Sequence, residues 1–590
     1  MVEKDMDSSR TPVAVVDMGS NGIRFGIIAA LVRHLPVVYE ERAPISLLEA
    51  QGEDNFIPTE TIDHVITTFL RFKLLCEHAN VQPQNVKVIA TEATRTAKNA
   101  EDFIQQIQQR TQWKVDILSK EQEAMYSALG IAGSFYQANG LVMDLGGGSV
   151  ECNYVMTPTD AARFEASSSP MSLPYGAAVL KKRMVQCTTT ADRDALYNEI
   201  VEYFRGATKH ISVPNDLYHD EGYTVYMSGG GFRALAYLSM SAGDRKQSSS
   251  EKAVYPIPIV HGYTLTGEQL RILSKRYMAY TPDELTQQLC VYRISKRRAS
   301  MIPAICFLVS AITDVIPIRR VYFSEGGVRQ GLCYHLLAPS ELAKDPLLEE
   351  VKQHALQSHY ALRPNDYDAI YQNLLDAIPP VYFNRDHPVQ LHRLLPAALH
   401  LSNLTSHYPK GSRAFVAFHM PLAGGALANV CGISHKERVL LALMLAFRYG
   451  AEIPDPTFHA VVEMACEKAL AVCKFVGRLL ELVFTVTPLK PELGLTNSGI
   501  SFQILSAEDG HDSKRPCLED RRTNKLHYQP AKLRVILPSE PCPQVDALAV
   551  MSVIESLDRK VNRVKNCSMD DNQRSLHRSV NLFSVDISRQ

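Results

Sequence analysis

The spacing of apolar positions changes character twice along the 590 residues. From residue 13 to 337, short runs rich in β-branched side chains alternate with stretches of helical spacing, which predicts an α/β architecture. The first unit reads as strand, turn and strand over 13–31, then a strand at 36–42 and a helix at about 59–80. In that helix Ile62, Val65, Ile66, Phe69, Leu70 and Leu74 recur at helical spacing and predict a core-facing stripe. A strand starting at 86 runs into a helix start, where Thr91 is placed to cap and Arg95 lies inside the first turn. A strand at 114–118 leads to a helix opened by Ser119 and Gln122 at capping-box spacing, with Glu121 and Glu123 in or just past its first turn.

Farther on, the pattern predicts a strand near 160–167 and, over 172–184, a turn entering a helix that ends in the basic cluster Lys181 to Arg183. A strand at 223–228 enters a triple-glycine turn, Gly229 to Gly231, and a helix. The apolar helix at 295–315 has a basic entry and feeds a strand at 319–324 and a fourth glycine turn. From about 342 to 480 only helical spacing persists, over 366–378, 389–402, 412–430, 435–449 and 457–480. A mixed pattern returns at 481, with strands at 484–488, 500–505 and 533–537 and a helix at 544–562. The polar insert 506–528 is expected to be a disordered loop, and 563–590 has no period and is expected to be a disordered tail. The division that follows is 11–138 and 139–337 for two α/β half-domains, 338–480 for a helical domain, 481–562 for a small α+β region, and the tail.

One stretch occurs twice. VAVVDMGSNGIRFGII, beginning at Val13, and LVMDLGGGSVECNYV, beginning at Leu141, each run from an apolar strand into an aspartate, a glycine and serine turn and a second apolar strand. Asp17 and Asp144 are the pivots. A strand that delivers a carboxylate to a tight glycine turn sets backbone N–H groups around an anion, with the acid beside it to hold hydrated Mg²⁺. Two such turns in one register predict duplicated half-domains that face one phosphate chain. Glu151 follows Ser149 by two and shares its face of the outgoing strand.

Composition adds limits. Hydrophobic residues at 46% and charged residues at 21% describe a globular chain, and the formal net charge of -1 gives no global basic field, so direct nucleic-acid binding is not expected. The 12 cysteines form no C-x-x-C pair and the N-terminus is polar, which predicts reduced thiols and a cytoplasmic location, with a nuclear pool allowed. The longest unbroken apolar run, 439–447, is half a membrane span, so no membrane segment is expected.

DMGSNGIR, TEATR, SKEQEA, DLGGGSVE, SLPYGAAVL, SGGG and SEGGVRQG, in this order over residues 13 to about 337, resemble the exopolyphosphatase and guanosine-pentaphosphate phosphohydrolase family. The R-F-G after the first turn and the long C-terminal extension resemble most closely its fungal retrograde-signalling branch. The resemblance implies ribonuclease-H-like half-domains of the actin, sugar kinase and heat-shock ATPase type, with a ligand cleft between them. It makes Asp17, Gly19, Ser20 and Asn21 the first phosphate loop, and Asp144, Gly146, Gly147, Gly148 and Ser149 the second. Gly229 and Gly230 join them as ligand contacts. Arg95 becomes a phosphate-binding cation, Glu123 the general base and Glu151 an acidic metal or water contact, with Asp144, Glu151 and Asp17 as the Mg²⁺ corner. Two departures stand out. Met125 occupies a position where the family usually has arginine, and Leu401 and Ser402 stand where His400 would need an acidic partner for a histidine-aspartate metal site. His400, His407, His419 and His435 are accordingly expected to be structural or surface residues.

The expected function is a regulatory protein that binds ATP or another phosphoanhydride such as polyphosphate. Its partner would dock on the helical and C-terminal regions, and the resemblance implies a role in mitochondria-to-nucleus retrograde signalling and nitrogen and glutamate gene control; a second copy of the chain is an allowed partner. The alternative is an active Mg-dependent exopolyphosphatase that releases terminal phosphate by water attack.

Overall fold

The computed structural model describes residues 11–157, 164–219, 221–242, 255–281, 283–285, 293–357, 362–422, 427–451, 453–486, 498–505, 531–540, 551–557 and 583–589. By its contacts the chain divides into two units, one of Met1–Ser248, Ile259–Pro346 and Cys431–Ile433, the other of Ser249–Pro258, Leu347–Val430 and Ser434–Gln590.

The first unit is built on strand β1 (Val13–Gly19), which pairs antiparallel with β2 (Gly22–Ile28) and parallel with β4 (Val86–Ala90). With β3 (Val37–Ala43) and β5 (Val115–Ile117) they form a sheet of order β3-β2-β1-β4-β5. A strand covered on both faces reads as an unbroken apolar run, and VAVV does so. Its alternate residues serve two cores: Ala14, Val16 and Met18 join Ile62, Val65, Phe69 and Phe72 of helix α2 (Thr59–His78), while Val13 and Val15 face the opposite side. The stripe on α2 is rotated from the expected one. Leu70 and Leu74 are exposed, and Phe72 and Cys76 complete the buried face, where Phe72 stacks on Phe25 at 4.4 Å.

Helices α1 (Leu47–Gln51), α3 (Glu92–Thr96) and α4 (Ala100–Thr111) complete this layer, and α5 (Lys120–Gly133) opens with the predicted Ser119–Gln122 capping box. Thr91 does stand at the cap of α3, but its hydroxyl donates to the Met18 carbonyl at 3.4 Å instead of capping.

The second sheet repeats this plan. β6 (Gly140–Leu145) and β7 (Val150–Met156) form the hairpin, β11 (Gly222–Ser228) lies parallel to β6, and β13 (Ile318–Phe323) lies parallel to β11. The order is β12-β13-β11-β6-β7-β8, with β8 (Glu165–Ala166) and β12 (Thr264–Thr266) at the edges. β9 (Met171–Leu173) pairs with β7 and β10 (Tyr218–His219) with β11. Of the strand predicted near 160–167, β8 is the part described, residues 158–163 lying outside the described ones. Helices α6 (Ala177–Gln186), α7 (Thr190–His210), α8 (Gly229–Ala242) and α9 (Gly267–Met278) accompany it. Lys296–Val315 is apolar and long enough, by length and composition, to cross a membrane, with a mean hydropathy of 1.5. An 18-residue window of it is 61% buried, and Ile302–Val315 packs against α7, α8 and α9 as a core helix.

The duplication yields two ribonuclease-H-like half-domains, each borrowing a helix from the other's sequence. Ala128, Ile131 and Ala132 of α5 pack with Val142 and Val155 of the second sheet. Leu332 and Cys333 of the helix Val328–Leu336 pack with Val13 and Val15 of the first. These helices cross through glycine: a Cβ on Gly331 would lie 1.7 Å from the Tyr126 carbonyl oxygen, and one on Gly130 would lie 2.0 Å from that of Gly327. The fully buried Arg33 donates to the Gly133 and Phe135 carbonyls at the end of α5, at 2.5 and 2.9 Å. Those carbonyls have no partner within the helix, so the guanidinium fixes where α5 stops.

In the second unit the helix His435–Arg448 is buried almost all round and packs with Glu467–Val486, Arg413–His419 and Leu391–Leu401. Its Arg438 donates to the carbonyls of Pro421, Leu427, Ala428 and Val430. Three expectations fail here. The predicted helix 412–430 is helical only over Arg413–His419, with residues 423–426 outside the described ones; 457–480 is two helices, Pro456–Met464 and Glu467–Val486; and residues 484–486, read as strand, extend the second of them. Phe484 is β-forming in isolation, but its burial on that helix decides. The C-terminal stretch expected to be a disordered tail contains strand β16 (Phe583–Arg589), parallel to β15 (Ala531–Leu537), which pairs antiparallel with β14 (Ser501–Leu505). Phe583 anchors it by stacking on Phe475 at 3.9 Å. The insert 506–528 and residues 563–582 lie outside the described residues, and of the helix expected at 544–562 residues 551–557 are described, as helix.

Candidate functional site

The two repeated turns are equivalent hairpins, and their register places the chemistry. In the first, Asp17 lies directly opposite Arg24; in the second, Asp144 lies directly opposite Glu151. Side chains at such positions share one face, and two like charges there destabilise a sheet. The second hairpin carries that cost where the first has a matched pair. The turns meet: a Cβ on Gly147 would lie 2.0 Å from the Asn21 amide nitrogen. The Gly148 and Gly146 carbonyls accept from the N–H groups of Gly176 and Ala177 at 2.9 and 3.0 Å, and the Gly147 carbonyl from that of Ala178 at 3.0 Å, which fixes the peptide planes of the second turn. The triple-glycine turn touches it as well, since a Cβ on Gly229, whose φ is +91°, would lie 2.6 Å from Asp144 Oδ1.

Around these turns lies a cavity of about 590 Å³. Gly19, Ser20, Asn21, Gly146 to Ser149, Gly229 and Gly230 line it with Asp17, Glu123, Asp144 and Glu151, so the structure gathers every predicted site residue but one. Arg95 is the exception. It does not line the cavity; its guanidinium donates to the Leu118 carbonyl at 2.6 Å and to Glu123 Oε2 at 3.2 Å. Positive charge comes instead from Arg24, Arg42, Arg233, Arg293, Arg297 and Arg298. Arg24 was legible in the repeat, because it occupies the position of Glu151. Arg297 and Arg298 belong to a run that also reads as a solvated helix end, and the other three are scattered along the chain with no local signal. Arg297 reaches Glu49 Oε1 at 2.8 Å, and Arg42 donates to the Asn21 carbonyl at 2.7 Å. The cluster Lys181 to Arg183 lies off the cavity lining, engaged with Ser300, Glu53 and Glu199.

Burial holds the carboxyls of Asp17, Asp144 and Glu151 above their ordinary range, with Arg24 opposing it at both aspartates and the charges of Glu123 and Asp144 adding to it at Glu151. Ser127 donates to Asp144, and Ser149 and Ser172 donate to Glu151. Glu123 is pushed up to about 7 by burial, which outweighs the opposing Arg95. A carboxyl that changes charge near neutrality beside two phosphate-type loops is suited to accept a proton from water. Glu92, absent from the sequence-based site, also lines the cavity and presses its carboxylate on Gly148.

The profile of the Ppx/GppA phosphatase family matches residues 27–339, more than half of the chain. The chain belongs to the Ppx/GppA phosphatase family. The first turn, Asp17 to Asn21, lies just N-terminal to the matched region of this family member. An RTG2 C-terminal domain matches residues 356–503. Retrograde regulation protein 2 of Saccharomyces cerevisiae is 30% identical over 95% of this chain and 96% of its own. Guanosine-5'-triphosphate,3'-diphosphate pyrophosphatase of Vibrio atlanticus is 21% identical over 82% of this chain and 89% of its own. A crystal structure of the Aquifex aeolicus Ppx/GppA family member covers 55% of this chain and 97% of its own at 22% identity and a TM-score of 0.43.

Among the described residues no three histidine, cysteine, aspartate or glutamate side chains converge to hold a metal ion unaided. Mg²⁺ asks less of a protein, since one or two carboxylates suffice when phosphate oxygens and waters complete its shell. Asp144 and Glu151, facing one another, and the solvent-shielded Glu92 Oε2, which has no hydrogen-bond partner among the described residues, fit that requirement. Asp17 is set against Arg24. In the second unit His400 stacks on Tyr367 at 4.2 Å, His407 lies against Tyr408, His419 Nε2 bonds Asp455 at 2.7 Å, and His435 Nδ1 bonds the Tyr255 hydroxyl at 2.7 Å.

Proposed function

We propose that this Ppx/GppA member is a regulatory protein whose α/β cleft binds a phosphoanhydride, ATP or polyphosphate, as its Mg²⁺ complex. The observation that carries the reading is the meeting of two glycine turns at a cavity with six arginines on its lining, a chemistry matched to several consecutive phosphates. Arg24, Arg233 and Arg298 would hold phosphate oxygens, and Asp144 and Glu151 the cation. Held by these carboxylates, Mg²⁺ would supply charge neutralisation to the bound phosphates. Similarity over nearly the whole chain to a protein named for retrograde regulation supports a role in mitochondria-to-nucleus signalling and in nitrogen and glutamate gene control. A protein partner would read the ligand state through the helical and C-terminal regions, in the cytoplasm.

A second reading, Mg-dependent hydrolysis of a terminal phosphoanhydride, is favoured by Glu123. Its carboxylate lines the cavity, and Arg95 holds it from behind, so that Glu123 can orient a water and take its proton while Arg95 acts as a positioning residue. The decisive experiment measures binding of, and phosphate release from, polyphosphate and ATP with Mg²⁺, for the full chain and for Glu123→Gln. Tight binding without release supports the regulatory reading. Release that the substitution abolishes supports the hydrolase, and absence of binding to either ligand overturns both.

A further inference from the structure

Glu92 is the first residue of α3, and its side chain crosses to the second glycine turn. A Cβ on Gly148 would lie 1.6 Å from Glu92 Oε2, so the carboxylate rests on the backbone of that turn, inside the cavity lining. Oε2 is shielded from solvent and has no hydrogen-bond partner among the described residues. The other acids of this corner are provided for. Asp144 accepts from Ser127, Glu151 from Ser149 and Ser172, and Asp17 faces Arg24. Arg95, the nearest guanidinium in sequence, is committed to Glu123 and the Leu118 carbonyl. A polyanion drawn in by the arginines therefore meets, at the turn that should receive its phosphate, a carboxylate whose Oε2 has no hydrogen-bond donor among the described residues and whose charge, disfavoured by burial, is offset by the neighbouring charges of Arg95 and Lys120.

Like charges at contact distance in a site of low effective dielectric repel strongly. A divalent cation that takes carboxylate and phosphate oxygens together turns that repulsion into a bridge. On the reading that the cleft takes a phosphoanhydride, we propose that Glu92 is a specificity-determining residue that admits the cation-complexed ligand and rejects the free polyanion. A cleft so equipped responds to the Mg²⁺ complex and ignores uncomplexed phosphate chains that its arginines would otherwise capture.

The test is calorimetric titration of the full chain with inorganic tripolyphosphate, once with Mg²⁺ and once with a chelator, for the unsubstituted protein, Glu92→Gln and Glu92→Ala. The unsubstituted protein should prefer the Mg²⁺ form by about ten-fold or more. Both substitutions should raise affinity for the free anion and lower it for the Mg²⁺ form, so that the ratio falls toward one. Water-proton relaxation with Mn²⁺ in place of Mg²⁺ should show the cation held less tightly in both variants. An unchanged ratio in the variants overturns the inference while leaving the cleft's ligand class intact. So does wild-type behaviour of Glu92→Gln beside a loss in Glu92→Ala, because the side chain would then act as a neutral hydrogen-bond donor. Failure of the unsubstituted protein to bind tripolyphosphate under either condition overturns the phosphoanhydride reading itself.

Discussion

At the scale of single residues, burial raises the proton affinity of Glu123, the Arg95 guanidinium lowers it, and the charges of Asp17 and Glu92 raise it further. If the cleft hydrolyses, kcat/KM should rise with pH through about 7 as Glu123 loses its proton. Glu123→Gln should lower the rate by about 10²–10⁴-fold while leaving Mg-tripolyphosphate affinity in place. Arg95 lowers the Glu123 pKa, so Arg95→Met should move the rising limb to more alkaline pH. A steady-state profile of both proteins checks each expectation, and an Arg95→Met profile that stays in place would return Arg95 to a direct role at the phosphate. Residues of this kind were legible where a local motif carries them. Asp17, Asp144 and Glu151 sit at fixed offsets within the strand-turn-strand pattern, whereas the capping box placed Glu123 only as an acid near a helix start and its role came from the family resemblance. Arg42, Arg233 and Arg293 reach the cleft only because separate elements of two half-domains converge there, and no window of sequence contains that information.

At the scale of elements, the crossing of α5 with Val328–Leu336 depends on the absence of side chains at the contact. Gly331→Ala would drive a methyl group into the Tyr126 carbonyl and should destabilise the first unit by about 1–3 kcal/mol, read by urea unfolding of the full chain. His400 supplies a second element-scale test. Burial lowers its pKa from 6.5 to about 4, so the folded state prefers the neutral ring and the unfolded state binds the extra proton first. The stability this confers is complete above 6.5 and is lost as pH falls toward 4. His400→Phe keeps a ring to stack on Tyr367, and the acid-sensitive step in thermal unfolding of the helical unit should shrink; an unchanged step would assign it to other groups. Helical periodicity announced most of this unit, but not where tertiary burial overrode local preference. Residues 484–486 look like strand and finish a helix, while β16 has little pattern of its own and depends on pairing with β15.

At the scale of the whole molecule, a net charge of -1 conceals a sharply divided cleft, with arginines and carboxylates on one lining. Tripolyphosphate affinity should fall steeply with added salt, and Arg298→Gln should weaken it by about ten-fold and flatten the salt dependence. Duplicated topology was foreseeable from the doubled turn, whereas the exchange of helices between half-domains was not, because α5 is continuous in sequence with the first sheet and packs on the second. Among the described residues no lysine or histidine lines the cavity; every basic group there is arginine. Arginine keeps its charge throughout the physiological range and is not a substrate for amine acylation. On the proposed reading, the cleft's attraction for anions would therefore lie beyond the reach of acetyl donors that silence lysine-lined sites in a cell of changing metabolic state. Its chemical weakness lies elsewhere: α-dicarbonyls, which condense with guanidinium groups, should inactivate ligand binding, and bound tripolyphosphate should protect against them.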